Sequence, residues 1–369
     1  MNKKIYFITG GGTGGHIYPA IAVADELLKE NNTQKVYYLG NPNNLEASIT
    51  KDRDYEFLPV VSSGMPRKIS LAFITWSLRL FFAWLKCCFY IKKYNPDVIF
   101  ATGGYVSAPV LLAGITMRIP FVMHDCDAAP GLVTRILAPY AKSVSIAFDA
   151  ARDKLNNPDC RLNGNPIRNE FAYLTKKEAR KQLGLEDKLT ICIMGGSQGA
   201  KTINRAACGI LKILLQNHEL QIIFQTGRKN YDRVTECLRE FYPEYEQNKN
   251  LIVRPYFNNM VTVLKACDIA VSRAGSLSIS EICASPSAAI FIPYPYAASD
   301  HQRKNAKYMA EKKAGIYMED SDTNPETLLN AINDLTYNPK KLQKIEQNAL
   351  KLAKFDGVKN IINQLREIN

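Results

Sequence analysis

Short apolar runs alternate with longer helix-like patterns along the whole chain, and this alternation limits the possible folds more than any other feature. The runs form two series, at 5–9, 35–39, 97–101, 120–124 and 143–148, and at 189–194, 220–225, 251–255, 268–272 and 288–293. Short apolar runs separated by amphipathic segments are typical of buried parallel strands joined by helices. The 369 residues therefore predict an α/β protein with two doubly wound, Rossmann-like domains.

The two series begin alike, which supports a division into two domains. The first strand leads into GGGTGG at 10–15, and the strand at 189–194 leads into GGSQG at 195–199. A cluster of turn residues at 163–166 separates the series and marks the linker. We predict domains at 1–163 and 164–340, with a charged helical segment of about 340–369 that can pack back on the first domain.

The first glycine-rich loop predicts a phosphate or diphosphate site. Glycines let backbone N–H groups approach an anion, and the N-terminus of the following helix adds a partial positive charge. A tight turn is the alternative, but five glycines around Thr13 exceed what a turn requires. Gly10, Gly12 and Gly15 fit the spacing of G-x-G-x-x-G, but the second strand runs into Gly40-Asn41-Pro42 without the acidic residue that contacts the ribose of a dinucleotide. We therefore expect no dinucleotide and no other cofactor.

His16 directly follows this loop and is the best candidate for a general base. Ligands bind at the carboxyl ends of parallel strands, and an imidazole can accept a proton near neutral pH. A hydrogen-bonded structural histidine is the alternative. His124 and His301 also follow predicted strands and rank below His16, whereas His218 ends a predicted helix and is expected to face solvent.

The second domain carries two further candidate anion sites. The loop 195–200 offers backbone amides and the hydroxyl of Ser197, and Ser276 opens a helix that contains Glu281. A carboxylate in that position can accept two ribose hydroxyls, although a solvated helix charge is equally compatible with the spacing. Arg168, just past the linker, can neutralise a diphosphate as a bidentate partner. Together they predict a nucleoside diphosphate across the strand ends.

Neither a metal site nor a disulfide framework is expected. The nine cysteines are an odd number without a C-x-x-C pair, which favours a reducing cytoplasm. Aspartate pairs of the D-x-D type occur at 52/54, 125/127 and 320/322, but none lies beside a nucleotide cradle. The N-terminal MNKKIYFITGGG predicts a first strand and not a signal peptide.

The apolar segment 69–91 carries much of the positive charge. Half of the net charge of +12 lies in 60–124, which has seven cations and one anion. Arg79 and Lys86 fall in the middle of the segment, which argues against a membrane span. A buried helix with a narrow polar stripe of Arg79, Lys86 and Lys93 is one interpretation. We favour docking on an anionic membrane surface over a nucleic-acid partner. The large apolar side chains expected to be exposed are Phe73, Ile74, Trp76, Phe81, Phe82 and Trp84. They are flanked by the cations Arg67, Lys68, Lys92 and Lys93.

Taken together, these motifs resemble the MurG family of glycosyltransferases. The matching stretches are GGGTGGHIYPA (10–20), TGGYVSAP (102–109), GNPIR (164–168), GGSQGA (195–200), SRAGSLSISE (272–281) and DHQRKNA (300–306). The resemblance implies the two-domain GT-B architecture, with two Rossmann-like domains facing a cleft. It also implies transfer of N-acetylglucosamine from its UDP derivative to polyprenyl-diphosphate-linked MurNAc-pentapeptide, the step from lipid I to lipid II in peptidoglycan synthesis. Such enzymes act peripherally at the cytoplasmic face of the bacterial inner membrane.

The resemblance also implies roles for individual residues. It implies Thr13, Gly14 and Gly15 in the sugar and diphosphate cleft, and His16 and Tyr105 on the acceptor side. Asp125, which follows the predicted strand at 120–124 and can reach the same cleft, is the reserve candidate for the base. On the donor side it implies Arg168, Ser197 and Gln198 at the diphosphate, Phe257 at the uracil, Ser276, Leu277 and Ser278 at the nucleotide cradle, Glu281 at the ribose and Gln302 at the sugar. Asp127 stands where the family usually has an asparagine that contacts the donor sugar, and an ionised aspartate cannot donate a hydrogen bond.

Three rival functions are compatible with the same motifs. A GT-B enzyme can transfer sugar to another membrane lipid such as diacylglycerol, and a non-hydrolysing UDP-N-acetylglucosamine 2-epimerase uses the donor alone. A catalytically inactive UDP-sugar sensor at the membrane is the third. Turnover that requires a polyprenyl-diphosphate sugar separates the favoured function from all three.

Overall fold

The computed structural model describes residues 3–66, 68 and 70–368. They fold as two compact units. The first runs from the start of the described chain to Ile167 and takes up the chain again from Asp356, and the second is Arg168–Phe355. The boundary therefore falls directly after the turn cluster that the sequence indicated as the linker.

Before the chain passes into the second unit, the first unit contributes seven strands and five of the helices that the structure describes. The strands are β1 (Lys4–Thr9), β2 (Thr33–Gly40), β3 (Glu56–Pro59), β4 (Val98–Ala101), β5 (Phe121–Asp125), β6 (Ser143–Ile146) and β7 (Cys160–Leu162). The helices are α1 (Gly14–Leu27), α2 (Leu45–Thr50), α3 (Leu71–Tyr94), α4 (Ser107–Met117) and α5 (Leu132–Leu137), with short 3-10 turns at Ala138–Tyr140 and Asp149–Lys154.

The second unit contains six strands and ten helices within the described residues. The strands are β8 (Leu189–Met194), β9 (Leu220–Gln225), β10 (Leu251–Arg254), β11 (Ile269–Ser272), β12 (Ala288–Phe291) and β13 (Ile316–Tyr317). The helices are α6 (Glu170–Tyr173), α7 (Lys176–Leu183), α8 (Lys201–Cys208), α9 (Leu211–Leu214), α10 (Tyr231–Phe241), α11 (Met260–Ala266), α12 (Ser276–Cys283), α13 (His301–Glu311), α14 (Pro325–Thr336) and α15 (Pro339–Leu352). Short 3-10 turns lie at Tyr245–Gln247 and Ala298–Asp300. A final helix, α16 (Gly357–Arg366), belongs to the first unit.

Both sheets are parallel throughout, and their central strands are buried on both faces, as predicted. The orders are β3-β2-β1-β4-β5-β6-β7 and β10-β9-β8-β11-β12-β13. In β1 the side chains alternate between two cores: Tyr6 and Ile8 pack with α1 and α16, and Phe7 packs with α3 and α4. Because neither face meets water, these strands are continuously apolar. The α/β class with two doubly wound domains is confirmed.

The charged C-terminal stretch divides between the two units. Ile345 of α15 lies in the core of the second unit, whereas Ile361 and Leu365 of α16 lie in a core of the first. Burial of these aliphatic side chains fixes α16 against α1 and β1. The buried Gln364 adds a polar tie, because its Oε1 accepts a 2.6 Å hydrogen bond from Asn163 Nδ2.

His124 belongs to the same buried polar network at the end of β5. Its Nε2 donates to Asn165 Oδ1 at 3.1 Å, so Nδ1 accepts from the Ser145 hydroxyl at 2.9 Å. Ser145 in turn accepts from Asn163 Nδ2 at 3.1 Å. Burial lowers the pKa of His124 to about 4, against the partial opposition of the hydrogen bond with Asn165. The fold thus holds a neutral imidazole.

This network predicts acid sensitivity of the first unit. An unfolded histidine titrates near ~6.5. The folded His124 has a lower pKa, so its contribution to stability is complete above the unfolded value and is lost as the pH falls from there towards about 4. The full loss is about 3 kcal/mol. Both tryptophans, Trp76 and Trp84, lie in α3, so their fluorescence reports urea unfolding of this unit.

The matched variant for this prediction is His124→Gln, which cannot titrate. Its unfolding free energy should fall less steeply than that of the wild type between pH 6.5 and 4, whatever its absolute stability. Equal slopes in the two proteins would assign the acid sensitivity to other groups.

Candidate active site

The strand order of each sheet reverses once, and the glycine-rich loops lie at these reversals. β1 and β4 mark the reversal in the first sheet, and β8 and β11 mark it in the second. Connections leave such neighbouring strands in opposite directions, which opens a crevice at their carboxyl ends where ligands bind. The loops after β1, β4, β8 and β11 therefore form one candidate half-site in each unit.

In the first unit, two glycine loops pack directly against each other. Gly12 and Gly104 have φ of +84° and +79°, in the left-handed region that favours glycine. A Cβ on Gly104 would collide with the carbonyl of Gly11, and one on Gly12 would lie 2.9 Å from Cε1 of Tyr105. Close packing and backbone conformation both require glycine here. The first-turn amides of α1, including those of Gly14 and Gly15, precede the intrahelical hydrogen bonds and are available to an anion.

His16 is held at this junction by its neighbours. Its Nδ1 lies 3.2 Å from Thr13 Oγ1, and its backbone carbonyl accepts a 2.6 Å hydrogen bond from Thr102 Oγ1. Thr13 is the N-cap of α1, but its side chain makes no capping hydrogen bond and faces the imidazole instead. Tyr105 follows the second loop and accepts a 2.8 Å hydrogen bond from Asn44 Nδ2. The structure thus brings Thr13, His16 and Tyr105 together.

Asp125 lies beside this cluster and organises the loop after β5. Its two carboxylate oxygens accept hydrogen bonds from the amides of Asp127 and Gly131, each at 3.1 Å. Burial raises the pKa of Asp125, and the neighbouring charge of Asp127 adds to the rise. The buried Cys126 donates from Sγ to the Gly15 carbonyl at 3.2 Å and so joins this loop to the first glycine loop. Asp125 therefore stabilises the loop after β5. That it can serve as the general base in place of His16 stays a prediction.

The cradle after β8 exposes the residues expected to contact a diphosphate. Gly196 and Gly199 have φ of +82° and +78°, and Gly199 packs against the backbone at Gly227. Ser197 and Gln198 are exposed at the tip. Their carbonyls accept hydrogen bonds from the Arg228 amide at 3.3 Å and Asn230 Nδ2 at 2.7 Å. The loop is therefore rigid while its hydroxyl and amide side chains face solvent.

The cradle after β11 carries the carboxylate and guanidinium predicted for the nucleotide. α12 begins at Ser276 after the N-cap Gly275, so the first turn is formed by Ser276, Leu277 and Ser278 without a side-chain cap. Arg168 Nη2 donates to Glu281 Oε1 at 3.1 Å. Burial raises the pKa of Glu281 and the Arg168 charge opposes that rise. The sequence indicated both residues but not their pairing.

Two more predicted donor residues lie at the same edge of the second sheet. The backbone amide of Phe257 donates to Gln225 Oε1 at 2.9 Å, and Gln225 Nε2 donates to the Gly196 carbonyl at 3.3 Å. Gln302 Oε1 accepts from the Tyr294 amide at 3.0 Å, which leaves its NH2 group to donate. The backbone amide of Phe257 is thus already hydrogen-bonded within the protein, and its backbone carbonyl remains to accept a hydrogen bond from the uracil.

Three residues that support the site, Asn44, Cys126 and Gln225, were not predicted from the sequence. All three lie in or beside loops at the carboxyl ends of strands, but their residue types carry no catalytic pattern. Their partners are 61, 111 and 32 residues away, so only the fold reveals the pairs. Within 3–66, 68 and 70–368, no group of three or more His, Cys, Asp or Glu side chains is arranged to hold a metal ion.

Comparison with known proteins agrees with this arrangement. The model of the glycosyltransferase family 28 N-terminal domain matches 6–146, and that of the C-terminal domain matches 190–365. Two proteins named UDP-N-acetylglucosamine–N-acetylmuramyl-(pentapeptide) pyrophosphoryl-undecaprenol N-acetylglucosamine transferase are similar over almost their whole length. The protein from Desulforamulus reducens is 36% identical, covering 98% of both chains, and that from Halothermothrix orenii is 34% identical, covering 99% of this chain and 98% of its own.

A solved structure extends the likeness to the fold. The crystal structure of Acinetobacter baumannii MurG matches with a TM-score of 0.80 and 25% identity, covering 99% of each chain. The two doubly wound units, with a glycine cradle at each strand reversal, thus correspond to the GT-B architecture. Because a relative more than a third identical spans nearly the entire sequence and both family models match in order, the chain belongs to glycosyltransferase family 28 and, within it, to the MurG family.

Proposed function

We propose that this protein transfers N-acetylglucosamine from UDP-N-acetylglucosamine to the muramyl sugar of undecaprenyl-diphosphate-linked MurNAc-pentapeptide. The reaction converts lipid I to lipid II in peptidoglycan synthesis, and so serves cell-wall growth and division. The observation that carries the proposal is the presence of glycine-rich anion-binding loops at the strand reversal of each unit. Both substrates contain a diphosphate, so one anion-binding region in each unit matches the two substrates.

The proposed reaction is a single displacement with inversion at the anomeric carbon. The acceptor hydroxyl attacks that carbon, the bond to the UDP oxygen breaks, and UDP leaves with the bonding electrons. His16 takes the hydroxyl proton as general base. On the donor, Arg168, Ser197 and the N-terminus of α12 stabilise the charge that develops on the diphosphate. Gln302 donates to a sugar hydroxyl, and the Glu281 carboxylate accepts from the ribose.

The decisive experiment is UDP release with different acceptors. With a soluble lipid I analogue we expect UDP release and a disaccharide product, each dependent on the acceptor. Release with diacylglycerol and not with the analogue would support the lipid rival, and consumption of donor alone would support an epimerase. Tight UDP-sugar binding without turnover on any acceptor would identify a sensor.

We further propose that the first unit docks on an anionic membrane surface through α3, at the cytoplasmic face of the inner membrane. α3 is long and apolar enough to cross a membrane by length and composition. One side of the helix packs into the core of its own unit through Ala83, Cys87 and Ile91, which favours docking over crossing. The other side presents a continuous apolar face to solvent, formed by Leu71, Ile74, Leu78, Phe81, Phe82, Leu85 and Phe89.

The apolar face of α3 differs from the predicted set in three residues. Ile74, Phe81 and Phe82 are exposed as expected, but Phe73, Trp76 and Trp84 are half-buried. The indole N–H groups account for the two tryptophans: Trp76 Nε1 donates to the Ser63 carbonyl at 3.0 Å and Trp84 Nε1 to Thr116 Oγ1 at 3.1 Å. Of the basic flank, Lys68, Arg79, Lys86, Lys92 and Lys93 are exposed, whereas Arg67, like Ile69 at the start of the predicted segment, lies outside the described residues.

The membrane proposal predicts that loss of the apolar face releases the protein from vesicles. Leu78 and Phe82 are 54% and 64% exposed, so replacing both with serine removes apolar contact without opening the core. Co-sedimentation with anionic phospholipid vesicles should be lost, and turnover of a soluble acceptor analogue retained. High salt should weaken wild-type binding because part of the attraction is Coulombic.

The matched control replaces Ile213 and Phe241 of the second unit, which are 50% and 56% exposed, with serine. This control should sediment like the wild type. If the Leu78/Phe82 variant sediments with vesicles as much as the wild type does, in low and in high salt, α3 is not the membrane-contacting element.

A further inference from the structure

An unusual side-chain contact joins the loop after β2 to the candidate acceptor site. Asn44 Nδ2 donates to the Tyr105 hydroxyl at 2.8 Å, across 61 residues of sequence. Asn44 is also the N-cap of α2, where an asparagine ordinarily accepts a hydrogen bond from an amide of the first turn. It makes no such capping bond here. The side chain is therefore committed to Tyr105 and not to its own helix.

This contact fixes which way the Tyr105 hydroxyl can act. A phenol has one hydrogen to donate and lone pairs to accept with, and Asn44 occupies the accepting side. Within the described part of the chain, the hydroxyl hydrogen has no protein acceptor. The ring is also fixed by packing, because its edge contacts Gly12. Gly12 directly precedes Thr13 in the glycine loop that leads to His16. The hydroxyl is thus oriented as a donor beside the α1 N-terminus.

We propose that Asn44 is a positioning residue that makes Tyr105 a hydrogen-bond donor to a phosphate oxygen of the acceptor substrate. The inference rests on the proposed function, which assigns the first unit to the acceptor diphosphate. Phosphate oxygens only accept hydrogen bonds, so a phenol with its hydrogen turned outward is complementary to them. A phenol whose hydrogen is taken by a protein group cannot make this contact.

Substituting Asn44 with aspartate tests this polarity. A carboxylate only accepts, so in Asn44→Asp it would take the phenol hydrogen away from the substrate and add a negative charge near the phosphate. Asn44→Ala instead leaves the hydroxyl free to rotate and still able to donate. A purely structural role of Asn44 predicts the reverse order, because aspartate is as good an N-cap as asparagine and alanine is a poor one.

The experiment measures kcat and both KM values for the wild type and four variants with a soluble lipid I analogue. The variants are Asn44→Ala, Asn44→Asp, Tyr105→Phe and the combination of the last two. We expect Tyr105→Phe to raise the acceptor KM about tenfold, as for a lost hydrogen bond to a charged group. Asn44→Ala should raise it about two- to threefold and Asn44→Asp at least as much as Tyr105→Phe, with the donor KM unchanged.

The combined variant shows whether Asn44 acts through the Tyr105 hydroxyl. If Asn44 acts through the Tyr105 hydroxyl, adding Asn44→Asp to Tyr105→Phe should raise the acceptor KM only slightly further. Two results would overturn the inference. One is an acceptor KM for Asn44→Asp that is no higher than that for Asn44→Ala. The other is a full additional rise in the acceptor KM when Asn44→Asp is introduced into Tyr105→Phe, which lacks the hydroxyl. Wild-type protein that binds UDP but transfers nothing to the analogue would overturn the proposed function itself, which the ordering of the variants does not test.

Discussion

Replacing His16 with alanine is expected to lower turnover by about 100- to 10,000-fold, the usual worth of a general base. UDP affinity should barely change, because the residues proposed for the nucleotide belong to the second unit, Arg168–Phe355. Steady-state turnover with a lipid I analogue measures the first effect, and calorimetric titration with UDP measures the second. Thr13 Oγ1, at 3.2 Å from Nδ1, orients the ring and leaves Nε2 for the substrate hydroxyl.

The pH dependence of turnover separates a base from a residue that only binds. A general base must be unprotonated to act, so the group that serves as base shapes the acidic side of the pH–rate profile. In His16→Ala this acidic limb should move or vanish. A limb that is unchanged in position, together with a reduced rate, would show that another group accepts the proton.

Asp125 is the matched alternative for the base. The variant Asp125→Asn keeps the size of the side chain and one oxygen acceptor for the amides of Asp127 and Gly131, so it preserves more of the loop than alanine would. We expect it to retain far more turnover than His16→Ala. Near-normal turnover of His16→Ala and abolished turnover of Asp125→Asn would transfer the role of base to Asp125 and leave His16 as an acceptor-binding residue.

The sequence predicted the parts of this fold that depend on local patterns. The run at 5–9 is β1 within one residue, because a strand buried on both faces is continuously apolar. The glycine loops were located because an anion cradle needs a specific local backbone. The short strands β3, β7 and β13 escaped prediction, since four, three and two residues at or near a sheet edge carry little periodicity.

Side-chain pairings between distant loops were beyond local patterns. The seven-residue spacing of Arg79, Lys86 and Lys93 correctly predicted an exposed basic stripe on α3. The prediction that Trp76 and Trp84 of the same helix are exposed was wrong, because their N–H groups donate to oxygen atoms of the protein and the rings are half-buried. Such partners become visible only when the chain is folded, and this also holds for the pairs formed by Asn44 and by Arg168.

Replacing Arg168 with alanine is expected to weaken the use of UDP-N-acetylglucosamine by about 1.5–3 kcal/mol, or roughly 10- to 150-fold, as for a lost hydrogen bond to a charged group. The side chain is 41% exposed and is held by Glu281, whose own side chain is only 13% exposed. The guanidinium is therefore preorganised beside Glu281 of α12, and it need not be ordered again when the diphosphate binds.

The pairing with Glu281 makes the Arg168 result more specific. In Arg168→Ala the carboxyl group loses the charge that holds its pKa down, while burial continues to raise that pKa. The defect in UDP binding should therefore grow as the pH falls, because a protonated Glu281 accepts ribose hydroxyls less well. Combining Arg168→Ala with Glu281→Gln should remove this pH dependence, and the two losses should not be additive.

The control for Arg168 is Arg239→Ala, which removes an equal charge from a guanidinium that is 61% exposed on α10 of the same unit. UDP affinity of this control, measured by titration calorimetry, should stay within about twofold of the wild type because exposed charges are screened by solvent. A control that weakens binding as much as Arg168→Ala would mean that only the general positive field of the unit attracts the nucleotide. Wild-type affinity and turnover in Arg168→Ala would remove Arg168 from the donor site, and the diphosphate would then be bound by the loop at Ser197 and the first turn of α12 alone.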